Sequence, residues 1–284
     1  MKLKPTMLIL LGSMAITACG SSSAGSSGSA KVTPPPDSAL FTAGTLTVGS
    51  DISYPPQEFF DPAGSTNAAG FDIDLGKALA DKMGLKFVAL NQAFAGIIPA
   101  LDAKKYDAII SAMTINSDRT PKVNFVPYFV AGESFVVKKG ASYKPAKLED
   151  LCGHNVAVED GTAEKDEANG LNDAGKACAS KKLTVKVFPV DTEALAQLKK
   201  GAVDVHFTDS PVAGYEVKRD SNLAIANTAG AIEVAPEGIA VRKAESAILN
   251  PLKAAFKAIQ DDGTYKSILV KWGVIDGDIA NKKS

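Results

Sequence analysis

The sequence predicts an α/β protein made of two parallel-sheet lobes joined by two crossing strands. Short apolar runs alternate with amphipathic segments between residues 45 and 110, which is the βαβαβ pattern of a twisted parallel sheet. The same alternation returns between residues 155 and 219. Two longer extended segments, around 131–137 and 232–241, are expected to connect the lobes.

The chain begins with the pattern of a secretory signal over residues 1–18. Lys2 and Lys4 give a basic start, and residues 7–16 form an apolar run too short to span a bilayer. Cys19 follows directly, before a run of Gly and Ser, and this arrangement resembles the bacterial lipoprotein signal. That resemblance implies lipidation of Cys19 and anchoring to the outer face of a membrane. An ordinary signal peptide with an incidental cysteine is the alternative.

Residues 19–39 are expected to be a flexible tether. Gly, Ser and Ala dominate as far as residue 30, and three consecutive prolines, 34–36, stiffen the end. Such a segment sets the reach of the folded part and contributes no chemistry.

The first lobe is assigned to residues 40–131 and 235–284. Its strands are expected over 45–48, 86–90 and 107–110. The first helix has an apolar face formed by Phe71, Leu75, Ala78, Leu79 and Met83. Asp72 is placed to cap that helix and Gly84 to end it, and a second helix is expected over 95–103. A helical tail over 244–284 is expected to complete the lobe.

The second lobe is assigned to residues 132–234. Its strands are expected over 155–158, 183–188 and 203–207. Helices are expected after Gly161 and Thr162, after Asp191 as a cap, and after Ser210, where Pro211 takes the favoured first position.

Charge and cysteine content exclude several classes of function. Without the two signal-peptide lysines, 29 basic residues face 32 acidic ones, so nothing favours a nucleic-acid partner. Cys152 and Cys178 are expected to form a disulfide in an exported chain. With His154 and His206 isolated, a structural zinc site is not expected, and no cofactor is implied.

The exit of the 107–110 strand predicts an anion site. Ser111 and Thr114 stand where the strand leaves the sheet, and Arg119 follows five residues later. Ligands of open α/β sheets bind beyond the carboxyl ends of strands, and a guanidinium matches a carboxylate with two parallel hydrogen bonds. The plainer alternative is a surface arginine with an acidic partner, next to ordinary turn residues.

The other strand ends supply residues that are expected to face each other across the cleft between the lobes. The first lobe offers Asp51, Tyr54, Phe94, Ser111, Thr114 and Arg119. The second offers Glu159, Asp160, Gly161, Thr162 and Asp209. An arginine and a helix N-terminus for an anion, with an aspartate for a cation, match the α-carboxylate and α-ammonium of a free amino acid.

Seven segments, in order, resemble the amino-acid-binding proteins of ABC importers, the polar amino acid group of solute-binding protein family 3. They are residues 49–56, 70–75, 94–101, 111–128, 156–162, 201–209 and 263–273. The resemblance implies the periplasmic-binding-protein-like fold and capture of a free amino acid by hinge closure. It further implies delivery to an ABC permease and ATPase complex by a non-enzymatic, extracytoplasmic protein, which we expect to be monomeric.

The resemblance also implies roles for the end of the ligand that all amino acids share. Arg119 pairs with the α-carboxylate, helped by Thr162 and Gly161 at the helix start and by backbone groups near Thr114. Asp209 accepts from the α-ammonium, with Ser111 or backbone groups of Met113 nearby. Asp209 as a simple helix cap is the alternative.

Ligand identity depends on the far end of the site. The resemblance implies that Tyr54 and Phe94 sandwich the ligand side chain while Asp51 meets its end, although both aromatics could be core residues and Asp51 a turn residue. Glu159 occupies a position that reaches the ligand in this family, and two acids there favour arginine, lysine or ornithine. Asp160 stands where the family often has Gln, so which acid faces the cleft stays open and glutamine is the next candidate.

Two other classes of protein are alternatives to an amino acid transport protein. Some proteins of this fold are cyclohexadienyl-dehydratase-like enzymes, for which Glu159 is the evident general acid. Asp209 argues against that activity, because an ammonium partner serves no purpose for a cyclic carboxylate. A receptor sensor domain is the other alternative. The chain has no G-x-G-x-x-G, Walker or G-x-S-x-G motif.

Overall fold

The computed structural model describes residues 31–281, so the predicted signal peptide, Cys19 and the tether up to residue 30 lie outside the described residues. Seven helices are found in the described part of the chain. They are α1 (Phe71–Met83), α2 (Ile97–Asp102), α3 (Ala163–Gly170), α4 (Asp191–Lys200), α5 (Ser210–Arg219), α6 (Ser246–Asp261) and α7 (Thr264–Trp272). None of the helices over residues 31–281 is both long enough and apolar enough to cross a membrane.

The strands of the first half are β1 (Thr45–Ser50), β2 (Ser53–Tyr54), β3 (Glu58–Phe60), β4 (Ala68–Ala69), β5 (Lys86–Asn91), β6 (Ala108–Ile109) and β7 (Val123–Lys138). Those of the second are β8 (Asn155–Glu159), β9 (Thr184–Phe188), β10 (Val205–Asp209), β11 (Leu223–Ile225) and β12 (Ile232–Arg242). The main sheet has the order β5-β1-β6-β12-β7-β10-β8-β9, with β11 beside β7, and β2, β3 and β4 form a small separate sheet.

The sheet confirms two parallel lobes joined by two strands. β5, β1 and β6 run parallel in one lobe, and β10, β8 and β9 run parallel in the other. Between them, β7 and β12 pair antiparallel from Val123 opposite Arg242 to Glu133 opposite Ile232, with two irregularities along the ladder. These long strands are the only part of the main sheet, among the described residues, that belongs to both lobes.

Each lobe has its own apolar core. In the first, the face of α1 packs with the α6 and α7 side chains Leu252, Phe256 and Leu269, so the C-terminal tail covers the lobe that the N-terminal half begins. In the second, Phe135 and Phe207 stack with ring centroids 4.8 Å apart. Cys152 and Cys178 form a disulfide within this lobe, with Cα atoms 5.0 Å apart.

Two of the predicted helix caps are wrong. The residue before α1 is Gly70, and the Asp72 carboxylate instead accepts from the N–H of Ala112 and the hydroxyl of Tyr128. Asp191 is the first residue of α4 rather than its cap, and its carboxylate lies 2.8 Å from His206 Nε2. Both acids are buried, and neighbouring strands and loops offer them partners that sequence spacing does not reveal.

The helix expected over 95–103 is shorter than predicted. A 3-10 turn over Phe94–Gly96 precedes α2, which begins at Ile97. The predicted end of α1 is confirmed, because Gly84 adopts the left-handed conformation that closes a helix.

Candidate functional site

A small cavity lies between the lobes, at the carboxyl ends of the parallel strands. The first lobe lines it with Asp51, Tyr54, Glu58, Phe94, Ser111, Ala112, Thr114 and Arg119. The second lobe lines it with Glu159, Thr162, Ala163, Glu164 and Asp209. All but Met113 and Gly161 of the ligand contacts expected from the sequence are in these two sets.

Met113 and Gly161 lie beside the cavity and support its walls. Met113 is buried in an apolar cluster, and its carbonyl accepts from the N–H of Gly238 on β12. Gly161 has φ +84°, and a Cβ there would lie 2.6 Å from Ala95 Cα of the other lobe. Only glycine therefore fits this close approach between the lobes.

Arg119 forms the cationic side of the cavity. Its Nη1 donates to the carbonyl of Thr114 at 2.9 Å, and its Nη2 donates across the cleft to the carbonyl of Gly161 at 3.1 Å. The guanidinium carbon lies 5.2 Å from the centroid of the Phe94 ring. Two bonds of five leave donors for an anion, and the aromatic face fixes the plane of the guanidinium.

Thr162 starts α3 beside Arg119. Its hydroxyl accepts from the N–H of Lys165 at 3.3 Å and donates to the carbonyl of Glu159 at 2.9 Å. A helix N-terminus with its free N–H groups therefore faces the same part of the cavity as the guanidinium.

Asp209 ends β10 at the cavity and is bound to the opposite lobe through Tyr54. The Tyr54 hydroxyl donates to Asp209 Oδ2 at 2.9 Å and accepts from the N–H of Asp209 at 3.1 Å. Burial raises the pKa of Asp209 to about 7, although Tyr54 and Arg119 act to lower it. Tyr54 thus links the lobes by hydrogen bonds in addition to lining the cavity.

Two of the acids that line the cavity come from opposite lobes. Asp51 and Glu159 are both over nine-tenths buried, and each affects the pKa of the other. Asp51 also accepts from the N–H of Phe94 at 2.8 Å and from the hydroxyl of Ser53 at 2.5 Å. Burial is the main cause that raises the pKa of both carboxyls. Two buried carboxyls that act on each other in this way favour the state in which one of them is protonated.

Glu159, and not Asp160, faces the cavity. Asp160 lies outside it, with its side chain 44% exposed and 2.9 Å from Lys165 Nζ. Glu159 Oε1 is buried and accepts no hydrogen bond from another described residue, so this oxygen can accept one from a ligand.

Sequence reasoning missed four lining residues, Glu58, Ala112, Ala163 and Glu164. Glu164 follows the cap of α3, and its inward direction could have been read from the helical turn that begins at Thr162. Glu58 lies on the short strand β3, where two or three residues give no reliable alternation. Neither acid resembles a core residue by type.

Comparison with known proteins places these features in a family. The sequence profile of the bacterial extracellular solute-binding proteins, family 3, matches residues 46–275. The ABC transporter arginine-binding protein 1 of Escherichia coli (strain K12) is 33% identical over 233 residues, which are 80% of this chain and 90% of that protein.

Solved structures give the same result. An ancestral arginine-binding protein bound to arginine is 39% identical, with a TM-score of 0.74, over 81% of this chain and 98% of that one. The ancestral amino acid-binding protein AncCDT-1, a precursor of cyclohexadienyl dehydratase, is 36% identical, with a TM-score of 0.71, over 81% and 95%.

Proposed function

The chain belongs to family 3 of the bacterial extracellular solute-binding proteins, and from that premise we propose that it captures a free basic amino acid, arginine, lysine or ornithine. The observation that carries this proposal is the charge order of one closed cavity. Arg119 and Asp209 act on each other electrostatically in one part of it, and we assign the acids Asp51 and Glu159, which also act on each other, to its far end.

The shared end of an amino acid fits the first part of the cavity. Arg119 has unused donors for the α-carboxylate, next to the helix N-terminus at Thr162. Asp209, and the hydroxyl of Ser111, offer acceptors for the α-ammonium. Hydrogen bonds to charged groups contribute about 1.5 to 3 kcal/mol each, so loss of Arg119 or Asp209 should weaken binding at least tenfold.

The far end supports a cationic side chain. Tyr54 and Phe94 provide aromatic walls, and a guanidinium or ammonium that reached Asp51 and Glu159 would take the place of the proton they share. Glutamine is the second candidate, because a neutral amide can hydrogen-bond to the pair while the proton stays.

Capture would proceed by closure of the lobes about the crossing segments near 131–137 and 232–241. The bonds from Tyr54 to Asp209 and from Arg119 to Gly161 cross the cleft. A ligand that contacts both lobes binds the closed form best and shifts the equilibrium toward it.

Family membership supports an extracytoplasmic protein of an ABC import system. We propose that the closed form delivers its ligand to the permease and ATPase complex, and that acyl chains on Cys19 hold the monomeric protein at the outer membrane face. Residues 40–131 with 235–284, and residues 132–234, are the proposed extents of the two lobes.

A thermal-shift panel tests this function. The mature protein, stripped of bound ligand, is heated with each common amino acid, ornithine, citrulline and prephenate-like acids. At a hundredfold excess over Kd a ligand stabilises the fold by about 2.7 kcal/mol. Stabilisation by arginine, lysine or ornithine is expected. Stabilisation by neutral amino acids alone would refute the assignment of Asp51 and Glu159 to a cationic side chain. An unchanged melting temperature with every amino acid would refute the binding function.

A dehydratase is the second candidate, and one observation favours it. Glu159 and Glu164 are buried acids in a closed cavity, and burial raises the pKa of both, as a general acid requires. The similarity to AncCDT-1 also points there. Asp209 has no partner in such a substrate, which is why binding is preferred. Turnover of a prephenate-like acid, assayed directly, would reverse the order.

A further inference from the structure

A pair of buried acids, Glu58 and Asp72, contacts the part of the cavity wall formed by Ser111 and Ala112, and Glu58 itself reaches the cavity lining. Glu58 is 1% exposed and Asp72 is 1% exposed. Glu58 Oε1 accepts from the hydroxyl of Ser111 at 2.5 Å. Asp72 Oδ2 accepts from the N–H of Ala112 at 2.8 Å and from the hydroxyl of Tyr128 at 2.7 Å.

One oxygen of each acid has no ordinary donor. Glu58 Oε2 and Asp72 Oδ1 are both buried without a donor from any other described side chain or backbone group. Each carboxyl shifts the pKa of the other, that of Glu58 upward and that of Asp72 downward, which indicates that these two oxygens lie close to each other. Two carboxylate oxygens repel, so this contact requires a proton on one of them. Glu58 holds it, because its other oxygen already accepts from Ser111 while Asp72 accepts two further donors.

We propose that Glu58 and Asp72, with one proton between them, are positioning residues that hold the Ser111–Ala112 turn in its ligand-binding conformation. This inference rests on the proposed binding function, because Ser111 and Ala112 line the same cavity. Neither acid needs to touch the ligand to act in this way.

The turn needs such support because its conformation is unfavourable. Ala112 has φ +42°, in the left-handed region that residues with a Cβ avoid. The bond from its N–H to Asp72 fixes this conformation.

The same pair fixes the direction of the Ser111 hydroxyl. Ser111 Oγ donates to Glu58 and accepts from the N–H of Asp51 at 2.9 Å. A hydroxyl has one donor and two acceptor positions, so one acceptor position is left. With its hydrogen aimed away from the cavity, Ser111 presents an acceptor to a ligand ammonium.

The surroundings keep the proton in place. The titratable groups that act on the pair are Asp51 after β1, Glu237 on β12 and Tyr128 on β7. Two of these are further acids, and no salt bridge in the described part of the chain reaches Glu58 or Asp72. Burial raises the pKa of Glu58 well above its ordinary value.

Amide substitutions test the shared proton. In Glu58→Gln, an amide N–H donates to Asp72 as the acid proton did, and in Asp72→Asn an amide donates to an ionised Glu58. Asp72→Asn should keep ligand affinity within about threefold of the wild type, because Asp72 does not line the cavity. Glu58→Gln should lose less affinity than Glu58→Ala. In the double variant two amide donors face each other, and affinity should fall more than tenfold, far beyond the sum of the two single effects.

Two controls accompany this series. Glu58→Ala removes the Ser111 acceptor and should lose affinity. Glu58→Gln combined with Asp74→Asn removes the same number of acids as the double variant but leaves Asp72 unchanged, because Asp74 instead bonds to Lys271 and Trp272. That variant should bind like Glu58→Gln alone. Equal losses in Glu58→Gln and Glu58→Ala, or an additive double variant, would overturn the proposal.

Thermal unfolding tests the shared proton independently of ligand binding. It needs only the wild type and Glu58→Gln, so it can be measured even if the double variant does not fold. A carboxyl whose folded pKa lies above its unfolded value loses stabilising effect as pH rises above about 4.5. The melting temperature of the wild type should therefore fall relative to that of Glu58→Gln between pH 5 and pH 8. Parallel profiles would overturn the shared proton even if amino acids bind, and divergent profiles would support it even if none does.

Discussion

Substitution of Glu159 by Gln should convert a site for cationic side chains into one that favours neutral ones. Glu159 is 4% exposed and lines the cavity, and Asp51 of the other lobe contributes to the raised pKa of its carboxyl. A hydrogen bond between a charged pair contributes about 1.5 to 3 kcal/mol, so arginine affinity should fall about tenfold to a hundredfold. Citrulline, which has the same shape without the charge, should bind the variant at least as well as the wild type.

The pH dependence gives the same test a second readout. Burial, with Asp51 and Asp191 close by, raises the pKa of Glu159 well above its ordinary value, and Glu164 acts in the same direction. Arginine must displace the proton held there, so its affinity for the wild type should weaken as pH falls, by at most about tenfold per pH unit. Citrulline does not displace the proton at Glu159, so its profile should show only the weaker dependence due to Asp209, whose pKa is raised to about 7 and which meets the α-ammonium of both ligands.

Isothermal titration calorimetry with arginine and citrulline at pH 6 and pH 8, in two buffers of different ionisation enthalpy, measures both affinity and proton release. Asp160→Asn is the matched control, because it removes an adjacent charge that faces solvent and Lys165. That variant should bind arginine like the wild type. If Glu159→Gln and Asp160→Asn have the same arginine affinity, or if Glu159→Gln leaves arginine affinity unchanged, the assignment of Glu159 to the ligand side chain is refuted.

Three further predictions concern the rest of the site and the fold. Arg119→Lys should weaken binding of every amino acid about tenfold or more, since a single ammonium replaces a planar fork, and calorimetry would show it; an unchanged affinity would contradict the carboxylate role. Tyr54→Phe removes the hydrogen bonds to Asp209 that cross the cleft, so the ligand-free protein should open. Small-angle scattering should then give a larger radius of gyration, and ligand binding should be about tenfold weaker. An unchanged radius of gyration would contradict this role of Tyr54. Reduction of the Cys152–Cys178 disulfide should lower the free energy of unfolding by about 3 to 4 kcal/mol in the entropic model, measured by urea titration; a smaller loss would indicate residual structure in the reduced unfolded chain.

The sequence predicted the parts of this fold that depend on local periodicity. Parallel strands, the order of helices and the two crossing strands follow from apolar patterns that repeat over many residues, and Gly84 ends α1 because its type suits a left-handed turn. Asp72 and Asp191 were assigned as caps from spacing alone, and both proved to be buried partners of distant groups. Spacing cannot separate these cases, because a cap and a buried acid occupy the same place in the first turn.

The site residues also fall into those that strand ends predict and those that only the structure reveals. Most of the residues expected at strand ends line the cavity, because the carboxyl ends of parallel strands meet at one edge of a sheet. Glu58 and Glu164 were not predicted to line the cavity, because the sequence around a glutamate does not show whether it is buried. The choice between Glu159 and Asp160 needed the structure, since adjacent residues of a strand point to opposite faces and only the register decides which faces the cavity.

The acids around the cavity outnumber its cations, and this imbalance makes the binding of a cationic ligand depend on pH. Asp51, Glu159, Glu164 and Asp209 are all buried there, with Arg119 as the cation among the described lining residues. Buried charges of one sign must be paired or neutralised, so protons neutralise part of this acidic group. A basic amino acid brings two positive groups and one negative group, and it therefore replaces protons as it binds. Ligand and protons compete for the same acids, so the affinity for a cationic ligand should rise with pH.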